Sequence, residues 1–322
     1  MYDPDKFDVD KLRLAMEHLA AVPYDVTREV LYTPQELFDV FDPGDPTSAA
    51  RCLDARVARH VVETDRNYPP PAELWARTLH DYRVRKAMYR FLTGFERDRV
   101  VGVMGGHALL RTDGAYRQVA ELAKALTERG YLMISGGGPG AMEATHLGAW
   151  LAGCTPAEVE AALAVLAEAP GPDHPRWLAA AFEVMGRFPR SAASRSLAVP
   201  TWFYGHEPPA PFATHIAKYF ENSLREDVLL SVAYGGIVFT PGGAGTLQEI
   251  FQDAVQNSYL TLGVSRRMVF LGRTFWTEDA PVYPLLEELV RKGRYSNLQL
   301  ALADTVGETL SALGADEDGR RN

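Results

Sequence analysis

From residue 99 onward, short apolar runs alternate with stretches in which apolar positions recur at helical spacing. The runs are "RVVGVM" (99–104), "YLMIS" (131–135), "SLAVPTWFY" (196–204), "GGIVFT" (235–240) and "RMVFLG" (267–272). Such runs bounded by glycine or turn residues read as buried strands. Between them, 115–130, 213–233, 245–258 and 281–292 carry the helical pattern, the first closed by Gly130. Strands interleaved with helices predict parallel pairing and right-handed crossovers. The fold class expected is therefore α/β, a Rossmann-like doubly wound parallel sheet.

Two regions break this rhythm. Residues 1–98 show helical periodicity in "DKLRLAMEHLAAV", "TSAARCLDARVARHVVE" and "PAELWARTLHDYRVRKAMYRFL", with no strand-type alternation, and predict a helical N-terminal extension. Residues 155–190 predict two helices about a Pro/Gly/Asp loop, the first opened by Thr155, Pro156 and Glu158, hence a helical insertion in a core domain spanning 99–315. The tail, 316–322, is expected to be disordered.

Composition narrows the class without naming a function. Of the 322 residues, 47% are hydrophobic and 23% charged, an ordinary globular balance. A formal charge of −9 leaves no basic stripe for nucleic acid, although a small anion needs only local donors. The N-terminus has no apolar signal core, and no apolar run reaches the roughly 18–20 residues that span a bilayer. A cytoplasmic protein without membrane partners is expected. Cys52 and Cys154 read as free thiols in helical contexts rather than as a pair.

The candidate chemistry lies at the strand ends. Gly105-Gly106, Gly136-Gly137-Gly138 with Gly140, and Gly242-Gly243 with Gly245 each follow a predicted strand. In a doubly wound sheet these turns share one edge, where ligands bind at the switch in strand order. Side-chain-free backbone lets a ligand approach, and a following helix adds unpaired N–H groups and the positive end of its dipole. Such turns also occur simply to pass from strand to helix; three on one edge favour a phosphate. The expected substrate contacts are Gly105, Gly106, Gly137, Gly138, Gly242, Gly243, Ala244, Gly245 and the Thr246 hydroxyl. Gly136-x-Gly138-x-x-Ala141 meets the loose dinucleotide fingerprint, but it follows the second strand and lacks a ribose-binding acid. Glu249 falls about one turn inside the next helix, where a carboxylate beside a phosphate needs a task or a partner.

These residues resemble a known family. Pro241-Gly-Gly-Ala-Gly-Thr246-Leu-Gln-Glu249 is similar to the PGGxGTxxE motif of the Lonely Guy (LOG) family, often mislabelled lysine decarboxylases. Gly105-Gly106 with Tyr116 and Ala120 resembles its first glycine turn and helix, and Gly136 to Met142 its GGGPGxM element. The resemblance runs in order over roughly residues 99–313; the extension and the insertion look more like the longer bacterial nucleotide 5′-monophosphate nucleosidases. It implies hydrolysis of the N-glycosidic bond of a nucleoside 5′-monophosphate, of AMP, GMP, CMP or cytokinin riboside type, to free base and ribose 5-phosphate. It also implies a catalytic pair, Glu249 with an upstream arginine for which Arg225 is the candidate, no cofactor, and a homodimer or higher homo-oligomer. His206 and Glu207, after the third strand, and Asn222, on the helix of Arg225, are candidates to contact the substrate. His206, Glu207 and His215 lack a zinc-ligand spacing, and no metal is expected. No phosphate-cofactor signature surrounds Lys218, so decarboxylation is not expected. The alternative outside enzymes is a nucleotide-binding or carrier protein using the same cradle.

Overall fold

The computed structural model describes Glu17 and residues 19–204, 209 and 211–315. Its centre is a seven-stranded sheet in the order β4-β3-β2-β1-β5-β6-β7, with every pairing parallel. The strands are β1 (Val100–Met104), β2 (Leu132–Ser135), β3 (Ser196–Ala198), β4 (His215–Ile216), β5 (Gly236–Phe239), β6 (Arg267–Leu271) and β7 (Gln299–Ala303). The chain winds outward from β1 to β4, returns to place β5 beside β1, and continues to β7. The reversal between β1 and β5 is the position where open α/β sheets carry their ligand crevice.

Side chains alternate cleanly across this sheet. Val100, Met104, Ile237, Phe239, Met268 and Phe270 enter one hydrophobic core, while Val101, Val103, Val238, Val269 and Leu271 enter another on the opposite face. Burial on both faces explains why the strands read as continuous apolar runs rather than as polar–apolar alternation. Numbering only helices of eight or more residues, α1 (Leu53–Glu63) and α2 (Pro71–Leu92) belong to the N-terminal extension. Their apolar residues Val57, Val61, Val84 and Met88 share the first core with α7 (Asn222–Ser231), α8 (Ala244–Ser258) and α9 (Val282–Arg291). The second face is covered by α3 (Gly114–Glu128), α4 (Ala141–Trp150), α10 (Val306–Leu313) and the two insertion helices. Those two, α5 (Pro156–Ala167) and α6 (Trp177–Arg187), fall within the expected insertion, and Thr155 and Glu158 form the full capping box. Buried Arg111 ties them down: it pairs with Glu143 of α4 and donates to the carbonyls of Ala169 and Trp177.

Strand content exceeds the sequence expectation, which omitted β4 and β7 and extended a helix back to residue 213. The segment before Asn222 is instead an edge strand, paired with β3 and bridged on its other side to Tyr32, which exchanges both backbone hydrogen bonds with Ile216. Regular β3 also stops at Ala198, not at residue 204, because Pro200 has no N–H for a ladder. Both thiols are free; Cys52 is buried and Cys154 half-buried. No helix among the described residues is long and apolar enough to cross a membrane. The tail 316–322 lies outside the described residues.

The tightest helix contact rests on Gly148 of α4, where a Cβ would overlap the Ala120 carbonyl of α3 and stand 2.8 Å from the Ala123 Cβ. Gly148→Ala is therefore expected to destabilise the fold by about 1–3 kcal/mol, the usual range for overpacking, measured by urea unfolding. Wild-type stability in that variant would contradict this packing.

Candidate active site

The three glycine turns at the carboxyl ends of β1, β2 and β5 are hydrogen-bonded to one another. Gly106 donates its N–H to the Pro241 carbonyl (3.0 Å) and accepts the N–H of Ala141 on its own carbonyl (3.1 Å). The first turn is thus a hub between the other two. Gly140 has φ of +72°, a conformation that a side chain disfavours, and a Cβ there would overlap the Gly106 carbonyl. His146 secures the second turn from beneath. Its Nε2 lies 3.0 Å from the Gly136 carbonyl and must donate, so Nδ1 carries no proton; burial pushes the ring's pKa down to about 4.

The turns differ in what they leave open. Gly105 and Gly106 are half-buried, whereas Gly137 and Gly138 are buried, with Pro200 lying over Gly137. At the third turn Gly242 is half-buried and Gly243, Ala244 and Gly245 are exposed. Gly243 caps α8 without a side-chain hydrogen bond. Among the described residues, the N–H groups of Gly243, Ala244, Gly245 and Thr246 have no acceptor. Four donors at the positive end of a fifteen-residue helix form the most open anion-receiving surface of the three turns. Thr246 is buried, its hydroxyl folded against Gly242.

Glu249 and Arg225 meet beside these turns. Arg225 Nη1 lies 3.8 Å from Glu249 Oε1, and their side chains are only 12% and 13% exposed. The guanidinium is held in place: Nε donates to the Val199 carbonyl at 2.9 Å, and Nη2 lies over Gly136, 2.7 Å from where a Cβ would stand. Glycine at 136 is required by that close approach, since the same Cβ would overlap the Met142 sulfur. The helices carrying the pair are bridged further along, by Gln248 to Glu226 (2.6 Å) and Gln256 to Asp227 (3.2 Å). Asn222 donates to Glu226 (2.8 Å) and to the Tyr204 hydroxyl (3.2 Å), and its carbonyl oxygen is buried without a partner.

Burial raises the Glu249 carboxyl to a pKa of about 7; Arg225 pulls it down and Glu226 pushes it up. A carboxyl poised there exchanges a proton readily near neutrality. The 3.8 Å gap to Arg225 is an ion pair without a short hydrogen bond, which leaves carboxylate lone pairs for another partner.

Of the residues expected from the sequence, the structure brings Arg225, Glu249 and the glycine turns together at one edge of the sheet, with Asn222 at the start of the arginine helix. Sequence reasoning did not single out Val199 and Pro200, which touch the turns from a distant part of the chain, nor His146, which reaches back to Gly136 from α4 and carries no spacing signal. His206 and Glu207 lie outside the described residues. His215 sits in β4, stacked on Phe91 at 4.1 Å, and burial holds its pKa near 4. Among the described residues no three His, Cys, Asp or Glu side chains gather as a metal site would require. A cleft of about 710 Å³ between the extension and the insertion contains neither Arg225 nor Glu249. Its polar floor is already satisfied, since Lys218 and the Trp202 indole both donate to Asp54.

No family model matches this chain, and no curated protein matches it. Among solved structures it is similar to TM1055, a structural-genomics target, at 19% identity over 67% of this chain and 98% of that one, with a TM-score of 0.42. It is also similar to the molybdenum cofactor binding protein of the phototrophic bacterium Rippkaea orientalis, at 15% identity, 67% and 95% coverage and a TM-score of 0.40. A third is the molybdenum cofactor carrier protein of Chlamydomonas reinhardtii, at 17% identity, 67% and 95% coverage and a TM-score of 0.38. Likeness at this level bears on neither ligand nor activity.

Burying Glu249 has a cost with a definite sign. Its folded-state pKa of about 7 lies above the ordinary 4.5. Between those values the folded chain keeps a proton that the unfolded chain has released, so stability falls as pH rises through the window. Glu249→Gln removes that dependence. Relative to wild type it is expected to gain on the order of 2–3 kcal/mol between pH 4 and pH 8, read from urea unfolding at both ends. An equal difference at the two pH values would place the carboxyl in water.

Proposed function

We propose that this protein hydrolyses the N-glycosidic bond of nucleoside 5′-monophosphates, releasing the free base and ribose 5-phosphate. The observation carrying this reading is the Arg225–Glu249 pair, fixed at the strand-order reversal beside a helix whose first-turn N–H groups have no partner among the described residues. The motif resemblance at residues 241–249 supports the same assignment.

The parts divide the task by their chemistry. The N–H groups of residues 243–246 receive the 5′-phosphate, where the helix dipole favours negative charge. The ribose then lies toward Glu249, about one and a half turns inside the same helix. As the C1′–N bond lengthens, positive charge develops on the sugar ring, and an ionised carboxylate nearby stabilises it. Water adds its oxygen to C1′ and loses a proton, which Glu249 can accept at its raised pKa; the departing base takes up a proton at nitrogen. Arg225 keeps the carboxylate charged and oriented, and Val199 and the Gly136 turn prevent the guanidinium from swinging away. The reaction as drawn uses no cofactor.

Incubation with AMP, GMP, CMP, UMP and IMP, followed by chromatography of free base, tests this directly. At least one nucleotide is expected to be cleaved, with kcat/KM rising as pH increases through about 7. Glu249→Gln is expected to lower kcat by a factor of ~100 or more with a much smaller change in KM, the signature of an interaction made in the transition state. Tight nucleotide binding without release of base would assign the cradle to a carrier instead.

A further inference from the structure

The N-terminal extension reaches the arginine helix at one buried carboxylate. Asp81, on α2, accepts the backbone N–H of Phe220 on both oxygens (3.0 and 3.1 Å) and the N–H of Glu221 on Oδ2 (2.9 Å). These residues immediately precede α7, whose N-cap residue Glu221 supplies no side-chain cap of its own. A carboxylate from about 140 residues away therefore holds the two N–H groups that lead into the helix, and its charge faces the positive helix end. Arg225 lies one turn further on, and its own N–H bonds the Glu221 carbonyl at 3.2 Å.

Asp81 is itself held. It is 3% exposed, and Oδ1 lies 3.0 Å from His80 Nδ1. His80 Nε2 is 2.8 Å from the Tyr32 hydroxyl. With a neutral ring, Nδ1–H donates to Asp81 and Nε2 accepts from Tyr32, and both nitrogens are used. Tyr32 is also the residue bridging the sheet edge at Ile216. A second clamp acts through the Phe220 ring, packed against Tyr24 (4.6 Å), His80 (4.8 Å) and Trp202 (4.8 Å). Backbone and ring of Phe220, two residues before the arginine helix, are thus both held, by Asp81, Tyr24 and His80 of the extension together with Trp202.

We infer that Asp81 is a positioning residue for Arg225, and that the extension completes the catalytic pair rather than decorating the core. This inference rests on the reading of Arg225 and Glu249 as that pair. The chain of contacts is Tyr32, His80, Asp81, the N–H groups of 220 and 221, then Arg225 opposite Glu249. Val199 and Gly136 hold the guanidinium itself, and the pinned helix start sets where the backbone that carries it stands, 3.8 Å of side-chain gap from Glu249.

The full-length protein is the material for the test. Asp81→Ala removes both acceptor oxygens, while Asp81→Asn keeps one and serves as the conservative rescue; circular dichroism and thermal melting establish that each variant folds. The first readout is the titration midpoint of Glu249, followed by carboxyl ¹³C resonances and assigned with Glu249→Gln. Among the described residues the charged groups acting on that carboxyl are Arg225 and Glu226, both on α7. Withdrawing Arg225 therefore moves the midpoint upward, by an expected half unit or more in Asp81→Ala and less in Asp81→Asn. The second readout is nucleotide cleavage, where kcat is expected to fall about tenfold in Asp81→Ala, with partial recovery in Asp81→Asn. A folded Asp81→Ala with the wild-type midpoint and wild-type kcat would overturn the inference. If Asp81→Ala does not fold, Asp81→Asn decides by the same midpoint. If the wild type cleaves no nucleotide, the proposed function fails, while the midpoint still reports whether Asp81 sets the position of Arg225.

Discussion

A carboxylate withdrawn from water, with one guanidinium close by and no short bond to it, is the constraint around which this structure is arranged. Glu249 is costly to hold in that place, and its raised pKa expresses the cost. Arg225 offsets part of it and would offset more at shorter range. It is kept back by the Val199 carbonyl, by the floor at Gly136 and by the start of its helix. Other buried pairs close up, as Arg111 and Glu143 do through two hydrogen bonds and as Arg266 does with Asp253. The open pair beside the glycine turns keeps binding capacity instead.

The sheet explains why the pair can be so placed. Reversal of strand order between β1 and β5 leaves a gap between two helix-bearing turns, and Gly106 bridges that gap with one donated and one accepted hydrogen bond. The N-terminus of α4 is partly occupied by this linkage, since the Ala141 N–H is used. The N-terminus of α8 is not. Open donors and structural cohesion are thereby divided between two turns that look equally glycine-rich in the sequence.

That division marks how far the sequence could be read. The strand–helix rhythm and the doubly wound sheet were legible because strands buried on both faces give unbroken apolar runs such as Ile237-Val238-Phe239. Glu249 and the third turn were legible because they lie within nine consecutive residues. Strand β7, "QLALA", is short and its residues are only partly buried until Ala303, and β4 has two residues; neither offers a window long enough for periodicity to speak. The roles of Asp81, Val199 and Pro200 depend on contacts between segments far apart in the chain, which local spacing does not encode. The extension reads simply as amphipathic helices, and its part in holding Phe220 emerges only from packing.

The most direct measurement is the position of ribose 5-phosphate in crystals of the protein. The account predicts its phosphate against the N–H groups of residues 243–246, with its anomeric carbon about 3–3.5 Å from a Glu249 oxygen. Sugar phosphate bound elsewhere, with that helix start empty, would contradict it.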